Sequence, residues 1–177
     1  MGSRGAVRFD SYACWVRVVG IDPGLAACGY AVVEAQGAKA ETLGFGCWQT
    51  AAGVRIELRL RTLFVSLTEL LLRCRPDVVA LEESFVGLDA RTALSVGQVR
   101  GALLVACANA GHSCVEYPPA QVKQAVCGYG RADKRQVQQM AKALLGLERV
   151  PTPTHAADAL AVALCHASAP GLLRLAG

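Results

Sequence analysis

Three short apolar runs open the regular structure of this chain, and very little separates them. The first, Val16–Ile21 (VRVVGI), ends on Asp22-Pro23-Gly24, a combination that turns the backbone sharply. A second run follows at Gly29–Glu34 and a third at Thr42–Trp48. Strands joined by connections this short pair antiparallel, because a parallel neighbour needs a crossover of about a dozen residues or more. One side of the sheet is therefore expected to be a three-stranded meander.

After the meander the pattern changes period. Val54–Arg73 repeats apolar residues at Ile56, Leu60, Leu63, Leu67, Leu70 and Leu71, as an amphipathic helix does, and Pro76 closes it. Asp77–Glu82 (DVVALE) reads as a short buried strand. Thr92–Ala110 reads as a helix with Leu94, Val99, Leu103, Val105 and Ala106 recurring on one side. His112–Tyr117 is a further strand stopped by Pro118-Pro119. Helices at Ala120–Val126, Asp133–Leu147 and, after a Pro-rich loop, His155–His166 complete the chain. The order βββαβαβα predicts an α/β fold: a mixed five-stranded sheet, three antiparallel strands then two parallel, flanked by helices. That is the order of an RNase H-like fold.

A chain of 177 residues suits one compact domain with a sizeable core. Residues 16–168 are expected to form it, with residues 1–15 a disordered N-terminal extension and 169–177 a C-terminal tail. Apolar residues make up 53% of the chain but are broken by Gly, Arg and acidic positions, so no run approaches the length that crosses a bilayer. The first fifteen residues lack the pattern of a secretory signal. The eight cysteines include no CxxC and no His at zinc-site spacing. A cytoplasmic protein with reduced thiols is the expectation. The net charge of +4 is too mild to establish a nucleic-acid partner by itself.

Three acidic positions stand out. Asp22 ends a strongly apolar strand, where a carboxylate is costly to bury unless paired or bound to a cation. Taken alone it is equally an ordinary turn former. Glu82 repeats the arrangement at the end of DVVALE, and Glu83 should point to the opposite face because side chains alternate along a strand. His155 and Asp158 lie three apart on a helix and so share a face, with Ala156, Ala157 and Ala159 small enough to let that helix press on the sheet. Asp158 could otherwise be a dipole partner at a helix start. Three separate segments thus each deliver ligand-capable side chains. Oxygen-rich ligands suit Mg²⁺ or Mn²⁺, and a pair of such ions can drive an in-line phosphoryl displacement.

The blocks GIDPGLAACGY, ALEESF, ALSVGQVRGA, VKQAVCGYGRADKRQVQQM and HAADALAVALCHA resemble, in order and spacing, the RuvC family of Holliday-junction resolvases. The resemblance runs from about Val18 to His166. It implies a homodimer that binds a four-way DNA junction and nicks two opposing strands symmetrically, with the RuvA–RuvB branch-migration complex as a partner. It assigns Asp22, Glu82 and Asp158 to the family's catalytic, metal-binding acids and His155 to a position that carries Asp in many members and His in some. Whether His155 is a ligand or a general acid/base stays open. The resemblance also implies two ions of Mg²⁺ or Mn²⁺ per site.

Phe85 matches a family aromatic placed near the junction centre, where it can stack on an unpaired base; the residue by itself reads equally as core. Lys123 and Lys134 match basic residues assigned to DNA contact or catalysis. With Arg131, Arg135 and Lys142 they form a candidate phosphate-neutralising stripe, or a solvated helix face. The small residues Ala93, Gly97 and Gly101 permit close approach of another helix. In the family this region contributes to the dimer interface, and packing on the chain's own sheet is the alternative. A related nuclease acting on RNA or another branched DNA, or a non-catalytic junction-binding protein, would be the competing functions.

Overall fold

The computed structural model describes residues 15–83 and 90–169. Strand β1 (Val16–Asp22) pairs antiparallel with β2 (Ala27–Gln36), and β2 with β3 (Lys39–Gln49). On its other side β1 pairs in parallel with β4 (Val78–Glu82), which pairs in parallel with β5 (Cys114–Tyr117). The sheet order is β3-β2-β1-β4-β5, the mixed RNase H-like arrangement expected from the sequence.

β2 and β3 are longer than their apolar runs suggest, because they continue as one hairpin to a turn at Gly37, whose φ is 61°. Between Val32 and Val33 the register slips by one residue, leaving Leu43 unpaired and 53% exposed, a β-bulge near the middle of this edge strand.

Helices cover both faces. α1 (Ile56–Cys74) and α2 (Ala90–Asn109) lie on one. Leu63, Leu67, Leu71, Val99 and Leu103 pack there against Val19, Ile21, Val79 and Leu81 of the sheet. α3 (Pro119–Cys127), α4 (Lys134–Leu144) and α5 (Thr154–Ala167) lie on the other, with Val18, Ala31, Val33 and Ala80. α2 is rotated from the expected face: Val99, Leu103, Ala106 and Cys107 are buried, whereas Leu94 and Val105 are 66% and 53% exposed. α4 stops at Leu144, short of Leu147, because Gly146 follows with a φ of 61°. Among the described residues no helix is long and apolar enough to cross a membrane, and all seven described cysteines are free.

α5 sits unusually deep. A Cβ on Gly20 would lie 2.2 Å from the Ala159 carbonyl oxygen, and one on Gly29 would lie 1.9 Å from that of His155. Only glycine lets the helix backbone approach the strands this closely. Ala156, Ala157, Ala159 and Ala163 supply the matching small surface on α5, all fully buried.

Every charged group at the start of β1 is hydrogen-bonded. Arg17 donates from Nε and Nη2 to Glu34 Oε1 at 2.8 and 2.6 Å, and from Nη1 to the Cys74 carbonyl. Its backbone N–H donates to Asp77 Oδ2 at 2.7 Å. These bonds tie β1, β2 and the α1–β4 connection together at one end of the sheet.

Candidate active site

At the other end of β1 the register aligns one row of residues across the whole sheet. Asp22 lies opposite Gly29 of β2, and Gly29 opposite Cys47 of β3. Ile21 is level with Leu81, which brings Asp22 level with Glu82 of β4, and Glu82 is level with Tyr117 of β5. Side chains alternate along strands, so Asp22 and Glu82 emerge on the face that α5 covers.

The first turns of α5 complete the cluster. His155 Nδ1 lies 2.6 Å from Asp22 Oδ2, and Lys134 Nζ, reaching from the start of α4, donates to Asp158 Oδ2 at 3.4 Å. Ligand atoms of Asp22, His155 and Asp158 all fall within 4.8 Å of one another. Their side chains are only 13%, 43% and 17% exposed, so they share one partly enclosed spot. Glu82 stands just outside that triad, close enough for the charges of Asp22 and Asp158 to act on its carboxyl.

Carboxylates this close resist ionising together. Burial, followed by the charges of Asp22 and Asp158, pushes the Glu82 carboxyl up to about 8. Burial and Asp22 raise Asp158 as well, with Lys134 pulling the other way. The protein holds more acid here than its own cations neutralise. Hard oxygen ligands plus one imidazole, in negative excess, fit divalent Mg²⁺ or Mn²⁺.

The cluster opens into a cavity of about 550 Å³ lined by Asp22, Glu82, Asp158, Lys123 and Lys134, among others. Glu83 also lines it, a correction to the expectation that the second acid of the pair faces away. β4 ends at Glu82, so strict alternation no longer governs the next residue, whose N–H instead donates to the Tyr117 carbonyl at 2.8 Å. The Glu82-Glu83 doublet was the only sequence signal for it.

Another supporting contact left no signal. Thr50 Oγ1 donates to the Leu25 carbonyl at 2.5 Å and accepts from Arg59 Nε at 2.8 Å, and the Thr50 N–H donates to the Ala26 carbonyl at 3.0 Å. This clamp fixes the loop that carries the chain away from Asp22.

The remaining candidates divide. Arg131 and Arg135 are exposed and do not line the main cavity. Arg135 instead borders a separate hollow of about 320 Å³ beside Tyr129 and Gln136. Gly97 and Gly101 are exposed on α2, and a Cβ on either would meet nothing within 4 Å, so packing on the chain's own sheet does not explain them. Ala93 is partly buried on the same helix. Phe85 lies outside the described residues.

Residues 18–166 match the model of the family described as crossover junction endodeoxyribonuclease RuvC. A protein of that name from Caldanaerobacter subterraneus subsp. tengcongensis is 47% identical over 162 residues, 92% of this chain and 98% of its own. One from Heliobacterium modesticaldum is 51% identical over 148 residues, covering 84% and 91%. The solved structure of T. thermophilus RuvC in complex with Holliday junction substrate superposes with a TM-score of 0.83 at 41% identity, covering 86% of this chain and 93% of that one.

Proposed function

This chain belongs to the crossover junction endodeoxyribonuclease RuvC family, and on that premise we propose that it is a metal-dependent endonuclease that resolves four-way DNA junctions by symmetric nicking of two opposing strands. The observation that carries the reading is the convergence of Asp22, His155 and Asp158 within 4.8 Å, with Asp22, Glu82 and Asp158 lining a cavity that also presents Lys123 and Lys134.

Asp22, Glu82, Asp158 and His155 would hold two ions of Mg²⁺ or Mn²⁺. Bound there, such a pair activates a water and stabilises the leaving oxygen of a phosphodiester. The chain's own groups do the rest. The acids repel bare phosphate, so a backbone enters only where positive charge accompanies it. Lys123 and Lys134 supply fixed positive charge on the cavity wall, and Lys134 restrains Asp158. The ring of His155 is 43% exposed, and its contact with Asp22 fixes its orientation. Arg131 and Arg135 extend the basic surface along the α3–α4 corner, where phosphates of a DNA arm would run. Phe85 is assigned to stacking on an unpaired base.

Symmetric nicking needs two sites, hence a homodimer. The exposed stripe of α2, with Leu94, Gly97, Gly101, Leu104 and Val105, supports that helix as the contact. Residues 16–168 are taken as the single nuclease domain, acting in the cytoplasm with the RuvA–RuvB complex.

The test is a nicking assay on a synthetic four-way junction against linear duplex and branched RNA, with Mg²⁺ and Mn²⁺ compared. Paired nicks confined to the junction and absent without a divalent cation are expected. Equal cutting of duplex or RNA would favour another RNase H-like nuclease, and binding without cutting a non-catalytic protein.

A further inference from the structure

α5 is fastened to the acid row at both ends, and by the same kind of group. At its start His155 Nδ1 meets Asp22 at 2.6 Å. At its last turn His166 Nδ1 meets the Tyr117 hydroxyl, also at 2.6 Å, with the two rings edge-on. Tyr117 is the outermost member of the row on the β5 side, level with Glu82 in the ladder. Its carbonyl accepts from the Glu83 N–H at 2.8 Å, which fixes the exit from β4.

The two ties differ in what cation binding does to them. His155 and Asp22 are themselves ligands, so a bound ion competes for the atoms that join them. Tyr117 and His166 are not themselves in the ligand set, although Tyr117 is the ladder neighbour of Glu82, so a bound ion does not compete for the atoms that join them. The pair is also held at a cost. His166 is only 7% exposed and, among the described residues, its Nε2 is buried without a partner. An unsatisfied buried polar atom costs roughly 1–3 kcal/mol, and an apolar side chain at this position would avoid that. Burial also lowers the His166 pKa, which keeps the ring neutral. A neutral Nδ1 can accept from the Tyr117 hydroxyl, and the proton then sits on the orphaned Nε2.

We infer that the Tyr117–His166 hydrogen bond positions the metal site from a distance, holding the last turn of α5 against β5 so that Asp158 on the helix stays in register with Glu82 on the sheet. Both are positioning residues and neither touches substrate. The inference rests on the nuclease reading above, since it concerns the geometry of that site.

The test uses the full chain and the variants Tyr117→Phe, His166→Gln and His166→Leu. The readouts are single-turnover nicking of a four-way junction, the Mn²⁺ concentration for half-maximal rate, and junction binding without cation. Tyr117→Phe should slow nicking and raise the Mn²⁺ requirement by roughly tenfold, as removal of an outer support for metal ligands does. Its junction affinity should stay within about twofold, a margin well under 1 kcal/mol. His166→Gln retains an acceptor and should recover most of the activity, whereas His166→Leu should match Tyr117→Phe. If Tyr117→Phe does not fold, the Gln and Leu pair carries the comparison. Equal nicking and equal Mn²⁺ requirement in all folded variants would overturn the inference. A wild-type chain that nicks nothing would instead sink the nuclease reading.

Discussion

The two ends of β1 handle charge in opposite ways. At the start, Arg17 is shared among Glu34, the Cys74 carbonyl and, through its backbone, Asp77, so each charged group has a hydrogen-bond partner. At the finish, Asp22, Glu82 and Asp158 gather beside Lys134 and His155, and burial followed by the charge of neighbouring acids raises the pKa of Glu82 and Asp158. The same strand thus closes the fold at one end and leaves an unneutralised acid cluster at the other. Structural ion pairs satisfy themselves, whereas a site awaiting a cation cannot.

Short of replacing an acid, the largest expected effect comes from disturbing the seat of α5 at the acid end. Gly29→Ala drives a methyl into the His155 carbonyl, which must move the start of α5. A displacement near 1 Å costs on the order of 10²-fold in rate, and single-turnover nicking should show at least that loss. A nicking rate close to wild type would mean that the deep seating of α5 is unrelated to the site.

At the opposite end the effect should be on stability alone. Arg17→Met removes the hydrogen bonds of the half-buried guanidinium and should lower unfolding free energy by roughly 1–2 kcal/mol in urea titrations. Nicking below the melting transition should be unchanged, and a parallel loss of nicking would blur the contrast between the ends.

A separate effect is a pH slope. The folded protein keeps the Glu82 proton up to about pH 8, whereas an ordinary glutamate releases it at 4.5. Between those values the folded state carries a proton that the unfolded chain has lost, so stability falls as pH rises through the window and levels off above it. Melting curves in EDTA should show this decline, and Glu82→Gln should flatten it. Added Mn²⁺ should oppose the decline, because it binds the deprotonated acids.

Much of this was legible in the sequence. Alternation and turn chemistry placed Asp22 and Glu82 at strand ends, and the helical spacing of His155 and Asp158 put both on one face. The antiparallel meander followed from connection lengths. What escaped depends on contacts between distant residues. α2 carries apolar residues on two sides, so its pattern could not say which side the sheet takes. The hairpin extension beyond the β2 run rests on backbone pairing of Lys39 with Gln36, which no periodicity reports. Glu83 escaped because alternation ends where the strand ends. The Arg59–Thr50–Leu25 clamp and the Tyr117–His166 bond join residues whose proximity exists only in the folded chain.

The central claim is that the acid end of β1 is a cation site that cuts junction DNA. Asp22→Asn tests it most directly, with nicking and junction binding read from the same samples in Mg²⁺ or Mn²⁺. The account predicts that nicking disappears while the variant binds the four-way junction nearly as well as wild type. Retained nicking, or binding lost in step with nicking, would contradict it.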